Sequence, residues 1–361
     1  MFSRMLDAIH NAKHSIRLET YIYNATGVGT RLRDALVQAQ NRGVAVRVMV
    51  DAWGSSSLPA SFWTPLQAVS GQFRWFNPLP VWKLGIRNHR KLLVVDDHRT
   101  FIGGFNIAPE YEGDGIEAGW RDLGIEFHGG VANDLARSFD HLFDTADLKR
   151  KPFVHLRRTE QRQSIQSDDG TALLLSGPGR GRSQFESMLV RDIRAAKPIR
   201  IVAAYFLPTN RVRRALRFAA ARGADVSVIL PGKSDVPVSQ LASRSHYQSL
   251  LRSGVRLFEY QPQILHAKLV IANGAAYVGS ANLDRRSFHI NYELTVRFQS
   301  PEIVAGANAA FADILRHSRP IELASWKKSR SFLDRWKERW SYFLLAGLDP
   351  YIAKRQLKTL R

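Results

Sequence analysis

Asn88-His89-Arg90-Lys91-Leu92-Leu93-Val94-Val95-Asp96 runs on to Gly103-Gly104-Phe105-Asn106, and a near copy, Leu265-His266-Ala267-Lys268-Leu269-Val270-Ile271-Ala272-Asn273, runs on to Gly279-Ser280-Ala281-Asn282. Lys follows His by two residues in both copies, and Asn follows His by 17 residues in one and 16 in the other. The four apolar residues after each His-x-Lys, the polar turn at Asp96-Asp97-His98 or Asn273-Gly274, and the second apolar run ending in small residues read as a buried β-hairpin. Residues two apart on a strand share a face, so each His emerges beside its Lys. The return strand brings Asn106 or Asn282 alongside, with Gly104 and Ser280 leaving room for a ligand. Two such hairpins face to face give a cage for a phosphate group.

The repeat extends beyond the hairpins. Ala12 to Ile22 resembles Ala196 to Phe206, and Arg31 to Val48 resembles Arg211 to Val228, each reading as parts of a β-α-β unit in which a helix ends at Gly43 or Gly223. The expected architecture is α/β: a tandem pseudo-twofold fold of two mixed sheets flanked by helices, with one shared active site. Each unit is read as strand, helix, strand, helix, catalytic hairpin, strand, helix. The boundaries expected are a first unit over 1–148, a basic linker over 149–170, a second unit over 171–318 and a basic, aromatic tail over 319–361.

Neutral imidazole attacks phosphorus to form a phosphohistidine, and a second, protonated imidazole serves the leaving and then the incoming oxygen. Lys91, Lys268, Asn106 and Asn282 would neutralise the other phosphate oxygens, so the chemistry requires no metal or cofactor. The sequence carries no competing metal motif, having neither His-Glu-x-x-His nor any cysteine. Each histidine needs a partner for its second ring nitrogen. The strand after each hairpin offers a carboxylate, and spacing suggests pairing within a unit: Asp122 with His89 and Glu293 with His266. Asp235 and Arg244 sit where strand ends meet the site, and read equally as head-group ligands or as a cap and a solvated charge.

The formal charge of +20 and pI near 10.5 call for an anionic partner, either nucleic acid or acidic lipid. No stretch approaches the length of a membrane span, and the first ten residues have no signal-peptide core. From Trp326 to Arg361 there are ten Lys or Arg against three acids, with seven aromatics. Phe332, Trp336, Trp340, Phe343 and Leu344 recur at helical spacing, which fits an interfacial membrane helix or a stripe docked on the second unit. The apolar stretch from 79 to 86 reads as a lipid-dipping lip. Gly177 to Arg182 lacks the Gly-Lys-Ser/Thr of a phosphate loop and reads as a flexible basic loop.

These residues resemble the phospholipase D superfamily, whose twin His-x-Lys-x4-Asp motifs define it, over nearly the whole chain to about residue 318. The narrower resemblance, carried by Glu19 to Tyr23, Asp51 to Ser55, Gly103 to Ala108, Trp120 to Asp122, Tyr205 to Pro208 and Ser280 to Phe288, is to bacterial cardiolipin synthases of the peripheral type. It implies that His89 is the nucleophile and His266 the acid and base. A phosphatidyl group would pass from one phosphatidylglycerol to another with release of glycerol and a bell-shaped pH profile. Asp96, the third residue of the first motif, and Asn273, its counterpart in the second, are counted with the catalytic residues that the resemblance implies, and if that position serves the turn rather than the chemistry Asn replaces Asp there at little cost. The resemblance also implies a segment and strand ahead of the first helix, so that an edge strand is expected to be missing.

The partners expected are phosphatidylglycerol and a membrane surface on the cytoplasmic side, with no nucleic acid, and a monomer because one chain holds both half-sites. Hydrolysis by the same site, as a phospholipase D, and a metal-independent nuclease are the alternatives. The nuclease is disfavoured because such members of the superfamily are often one-motif units that dimerise, and because Trp alternates with Lys or Arg on a helix in the tail.

Overall fold

The computed structural model describes residues 1–78, 85–129, 131–146, 164–167, 170–178 and 183–348. Most of the expected lip, linker and basic loop, and the tail beyond 348, lie outside the described residues.

The first unit builds a mixed sheet from β1 (Ser15–Thr20), β2 (Ala45–Asp51), β3 (Gln72–Phe76), β4 (Leu92–Val95), β5 (Arg99–Gly103) and β6 (Gly124–His128), in spatial order β3-β2-β1-β4-β5-β6. The second adds β7 (Ser164–Gln166), β8 (Ala172–Ser176), β9 (Pro198–Ala203), β10 (Asp225–Pro231), β11 (Arg256–Tyr260), β12 (Lys268–Ala272), β13 (Ala275–Gly279), β14 (Glu293–Phe298) and β15 (Ser318–Ile321). Its order is β15-β11-β10-β9-β12-β13-β14-β8-β7, so the run from β11 to β14 repeats the whole first sheet. The parallel trio comes from helix crossovers, and the hairpin adds antiparallel strands beside it.

Three details differ from the sequence reading. Each unit carries one more strand, β3 or β11, between its second helical segment and the hairpin. Ser164–Gln166, expected in the linker, pairs with β8. The expected boundary at 318 falls inside β15, which pairs with β11, so the second unit reaches Ile321. At the other edge β14 pairs with β8, whereas β6 has no further strand partner among the described residues.

Alternation on the buried strands joins the units. Leu92 and Val94 of β4, with Leu269 and Ile271 of β12, face a core shared with the helices Val131–Asp144 and Pro301–Arg316. Leu93 and Val95 face the helices Phe2–Asn11 and Val28–Asn41, while Val270 and Ala272 face the outer helices of the second unit. Side chains on a strand alternate between faces, so one hairpin contributes to two cores. The two sheets therefore pack as one body with their hairpins side by side.

Candidate active site

The seam between the units is stitched by backbone. His89 N–H donates to Tyr292 O at 2.9 Å and Tyr292 N–H to Arg87 O at 2.9 Å, while Arg121 N–H donates to Ile264 O and His266 N–H to Arg121 O, both at 2.8 Å. These matching crossings run the segment before β14 beside His89, and the segment before β6 beside His266. The carboxylates therefore exchange places: His89 Nδ1–H donates to Glu293 Oε2 at 3.0 Å, and His266 Nδ1–H to Asp122 Oδ2 at 2.6 Å. This corrects the pairing expected from spacing within each unit. Corresponding places after the two hairpins identify two equivalent carboxylates but not which site each enters, and the twofold sends each across the seam. With Nδ1 committed, Nε2 is the nitrogen left for chemistry on both rings.

Supports under the carboxylates differ. Glu293, 1 % exposed, also accepts from Ser280 Oγ at 2.6 Å and Ser287 Oγ at 2.9 Å. Burial alone would raise this carboxyl, but His89, the Lys91 charge and the Ser280 hydroxyl hold it below its ordinary range. A β-carbon at Gly104 would collide with the Asp122 carboxylate, so the glycine is what admits Asp122. Ser280 is thus a prop for Glu293, and Gly104 is clearance for Asp122, where both had been expected to bind substrate.

Lys91 and Lys268, both buried, donate to the carbonyls of their own motif histidines at 2.8 and 2.5 Å. Burial lowers Lys91 to about 7, and lowers Lys268 as well. Burial also lowers both histidines, His266 to about 4 with help from the nearby Lys268 charge. The site is a cluster of cations held below their normal proton affinity, ready to recover it when an anion enters. Asn106 accepts from Ile22 N–H at 3.2 Å and donates to Tyr111 Oη at 2.8 Å.

His89, His266, Asn106 and Asn282 line one cavity of about 520 Å³ with Tyr21, Tyr205, Tyr111 and Trp120. Tyr21 lies 5.0 Å from the His89 ring, whereas Tyr111 and Trp120 lie 5.4 and 5.5 Å from that of His266. Tyr21, Trp120 and Tyr205 stand in segments that carried the family resemblance and Tyr111 does not, and no periodicity marks the role of any of them. Asp235 lines the same cavity and accepts from Tyr205 Oη at 2.5 Å. Arg244 does not line it. Its guanidinium is bound to Glu259 at 3.0 Å, tying the helix Pro237–Arg244 to β11, so its expected substrate role is not supported.

Asp96 and Asn273 also lie away from the histidines, at the far ends of β4 and β12. Both have positive φ, +53°, and Asp96 accepts the backbone N–H groups of Lys13, His14 and Ser15 at 2.7 to 2.9 Å. They are turn residues, not members of the catalytic cluster. Sequence reading also missed the buried pair of Arg90 and Glu19, 2.7 Å apart, which with the Asn88-to-Glu19 hydrogen bond clamps the residues flanking His89. Among the described residues, no group of three or more His, Asp or Glu could hold a metal ion.

The fold recurs in the crystal structure of phosphatidylserine synthase from Haemophilus influenzae Rd KW20, with a TM-score of 0.74 at 15% identity over 98% of this chain and 92% of that one. Polyphosphate kinase from Porphyromonas gingivalis gives a TM-score of 0.61 at 15% identity, over 90% of this chain and 47% of that one. By sequence, Cardiolipin synthase 1 of Bacillus anthracis is 32% identical over 91% of this chain and 67% of its own length. Cardiolipin synthase of Clostridium perfringens (strain 13 / Type A) is 32% identical over 93% and 72%. The family model described as cardiolipin synthase, PLD-like domain, matches residues 5–137 and 189–315, taking in both histidine motifs and both carboxylates, and the chain belongs to that family.

Proposed function

We propose that the protein is a cardiolipin synthase that transfers a phosphatidyl group between two phosphatidylglycerol molecules. The observation that carries this is the paired site itself: two Nδ1-anchored imidazoles, each oriented by the opposite unit, in one cavity with two asparagines and with two buried lysines beside it. His89 Nε2 attacks the phosphorus, and His266 gives a proton to the departing glycerol oxygen. Neutral His266 then takes the proton from a hydroxyl of the second lipid as that oxygen displaces His89 from phosphorus. The products are cardiolipin and glycerol, and both histidines return to their starting states. The buried Glu293 anion under His89 steadies the positive charge that develops on the nucleophilic ring. Lys91, Lys268, Asn106 and Asn282 serve the phosphate oxygens, and Asp235 with Tyr205 offers acceptors to glycerol hydroxyls.

The reading also sets the protein on the cytoplasmic face of the membrane. No helix among the described residues is long and apolar enough to cross a bilayer. The helix Phe332–Tyr342, opened by a Ser331–Asp334 capping box, buries Glu338 and Ser341 on one side. On the other, Phe332, Leu333, Trp336, Trp340 and Phe343 are each at least half exposed. Docking and membrane binding thus belong to opposite faces of one helix. Leu345 and Ala346, just beyond it, line the active-site cavity, so an aromatic face resting in lipid would place the cavity at the interface. Both half-sites lie in one chain, which supports a monomeric catalytic unit.

Purified protein incubated with phosphatidylglycerol vesicles in chelator is expected to yield cardiolipin and glycerol. Phosphatidic acid in place of cardiolipin would make the enzyme a hydrolase, and DNA cleavage without lipid turnover would overturn both lipid readings. Replacing Trp336, Trp340 and Phe343 with Ala should reduce sedimentation with anionic vesicles, and unchanged sedimentation would remove the helix from the interface.

A further inference from the structure

The helix Asn210–Ala221 of the second unit repeats the helix Val28–Asn41 of the first but changes its charge. Arg213 matches Arg33, whereas Arg214 stands in the place of Asp34 and Arg217 in that of Val37. In the first unit Asp34 accepts from Arg33 at 2.7 Å, and the same guanidinium lies over the Phe62 ring at 4.6 Å. The second unit has no such neutralisation. Arg217 comes four residues after Arg213 and three after Arg214, so the three share one helical face and repel one another. Of the arginines on this helix, only Arg211 has a carboxylate partner among the described residues, Glu186 at 3.1 Å.

The three arginines line a pocket of about 210 Å³ with Asn210, His246 and Ser249, and no acidic residue lines it among the described ones. It shares no lining residue with the catalytic cavity. Two of the guanidinium groups are held in place. Arg213 donates from Nη1 to His246 Nδ1 at 3.0 Å and from Nη2 to Asn210 Oδ1, and Arg217 Nε donates to Ser253 Oγ at 3.0 Å. These partners are uncharged, so they orient the cations without cancelling them. His246 is 5 % exposed, and burial together with the Arg213 charge lowers it to about 3, which keeps the ring neutral. With Nδ1 accepting, Nε2 carries the proton, and this buried N–H has no hydrogen-bond partner among the described residues.

The pocket adjoins the tail helix Phe332–Tyr342. The Tyr342 ring lies 4.5 Å from that of His246 and 5.8 Å from the Arg213 guanidinium. Phe343, next along the tail, and Phe218, next to Arg217, are each more than half exposed. An anion held by these arginines has exposed apolar neighbours, the surroundings of a lipid headgroup rather than of a free ion. Leu345 and Ala346, a little further along the tail, line the catalytic cavity. We propose that Arg213, Arg214 and Arg217, with His246, form a second anion site that holds the phosphate headgroup of an acidic phospholipid other than the reacting one, and so anchors the catalytic cavity at the membrane surface. This rests on the reading of the protein as a membrane-surface enzyme and goes beyond the transfer reaction. Planar guanidinium forks match phosphate oxygens two at a time, and a bilayer with acidic lipid supplies that group at high local concentration.

The test measures sedimentation with phosphatidylcholine vesicles, with and without phosphatidylglycerol, in a His89→Ala background so that no lipid is consumed. Replacing the exposed pair, Arg214→Gln with Arg217→Gln, should raise the dissociation constant for the acidic vesicles about tenfold and leave that for pure phosphatidylcholine unchanged. Arg214→Lys with Arg217→Lys keeps the charge but loses the forks, and should recover only part of the affinity. Full recovery by lysine would show a diffuse basic surface and overturn the site. Inorganic phosphate, titrated by calorimetry, separates the two sources of the same group: weaker phosphate binding in the Gln pair with vesicle binding unmoved would make this a free-phosphate site and overturn the lipid assignment. With His89 restored, the Gln pair should turn over monomeric short-chain phosphatidylglycerol at the unsubstituted rate, and a tenfold loss there would place these arginines in the catalytic machinery instead. Acidic vesicles bound equally by the Gln pair and the unsubstituted protein overturn the headgroup site alone. No binding of the unsubstituted protein to either vesicle overturns the membrane reading on which it stands.

Discussion

The two half-sites reach the same geometry by opposite means. Around His89 the backing is polar: Glu19, fully buried, pairs with Arg90 and accepts from Asn88. Around His266 the matching positions are Ala203, Ala267 and Leu265, all buried and apolar. The carboxylates contrast too, a Glu propped by Ser280 and Ser287 on one side and a shorter Asp let in by Gly104 on the other. The repeat keeps the His, Lys and Asn of both motifs and lets the supports behind them differ. The chemistry needs a fixed Nε2, whereas a strand holding it can be braced by an ion pair or by close packing.

The largest expected effect breaks the apparent equivalence of the histidines. His89→Ala should abolish the phosphatidyl-enzyme whatever the leaving group. His266→Ala should slow transfer from phosphatidylglycerol by about 10²- to 10⁴-fold, the usual contribution of a general acid or base. A phosphodiester with a nitrophenolate leaving group needs no proton, so His266→Ala should release nitrophenol in a single burst close to that of the unsubstituted enzyme. A burst from His89→Ala instead would reverse the two roles.

The second prediction concerns the polar backing. Glu19→Gln keeps the shape but leaves Arg90 buried without a counter-ion, and should cost about 3–5 kcal/mol in urea unfolding. Removing both charges, as Glu19→Gln with Arg90→Met, should cost much less than the two single changes added together, because the second unit shows that the strand stands on apolar neighbours. Additive losses would mean that the first half-site has no apolar solution available to it.

The repeat, both hairpins, the helix-to-strand order and the His, Lys and Asn of the cage were legible in the sequence, because apolar runs of period two and a fixed His-x-Lys spacing are local patterns. The exchange of Asp122 and Glu293 was not. It depends on Arg121 running beside Leu265 and Asn88 beside Tyr292, pairings between units that no spacing within a unit records. β3 and β11 were missed because Gln72-Phe73-Arg74-Trp75-Phe76 and Arg256-Leu257-Phe258-Glu259-Tyr260 mix apolar with polar and charged side chains, as partly exposed strands do, whether at the sheet edge like β3 or beside the short β15 like β11. The tail helix was legible in its amphipathicity, but a stripe of aromatics could not tell which face docks.

A smaller effect probes the buried cations. Lys91 is lowered from 10.5 to about 7, so the unfolded chain binds more protons than the native one between those values, and stability should rise with pH across that window. His266, lowered from 6.5 to about 4, adds a rise over pH 4 to 6.5 by the same sign. Lys91→Met should flatten the upper part of the profile measured by urea unfolding. Inorganic phosphate should bind with proton uptake, visible by calorimetry in buffers of different ionisation enthalpy. A slope unchanged by the substitution would show that Lys91 keeps its ordinary affinity for protons.

The smallest effect tests the third letter of the motif, where the two units differ in the residue but not in the backbone. Asp96 and Asn273 share a φ of +53°, a conformation that Asp and Asn both tolerate. Asp96 is held below its ordinary pKa: slight burial raises it, and the amides of Ser15, Lys13 and His14 outweigh that. Its contribution is present above 3.8 and lost as pH falls through the depressed value. Asp96 is only partly buried, so solvent screening keeps the gain small, and Asp96→Asn should cost about 1 kcal/mol or less. Asn273→Asp should be neutral in stability within about 0.5 kcal/mol. Both should leave kcat/KM for cardiolipin formation within about twofold, since neither side chain reaches the cavity. A hundredfold loss of activity in Asp96→Asn with the unfolding midpoint unmoved would return this carboxylate to the chemistry. It would also make Asn273 a handicap of the second half-site rather than its turn.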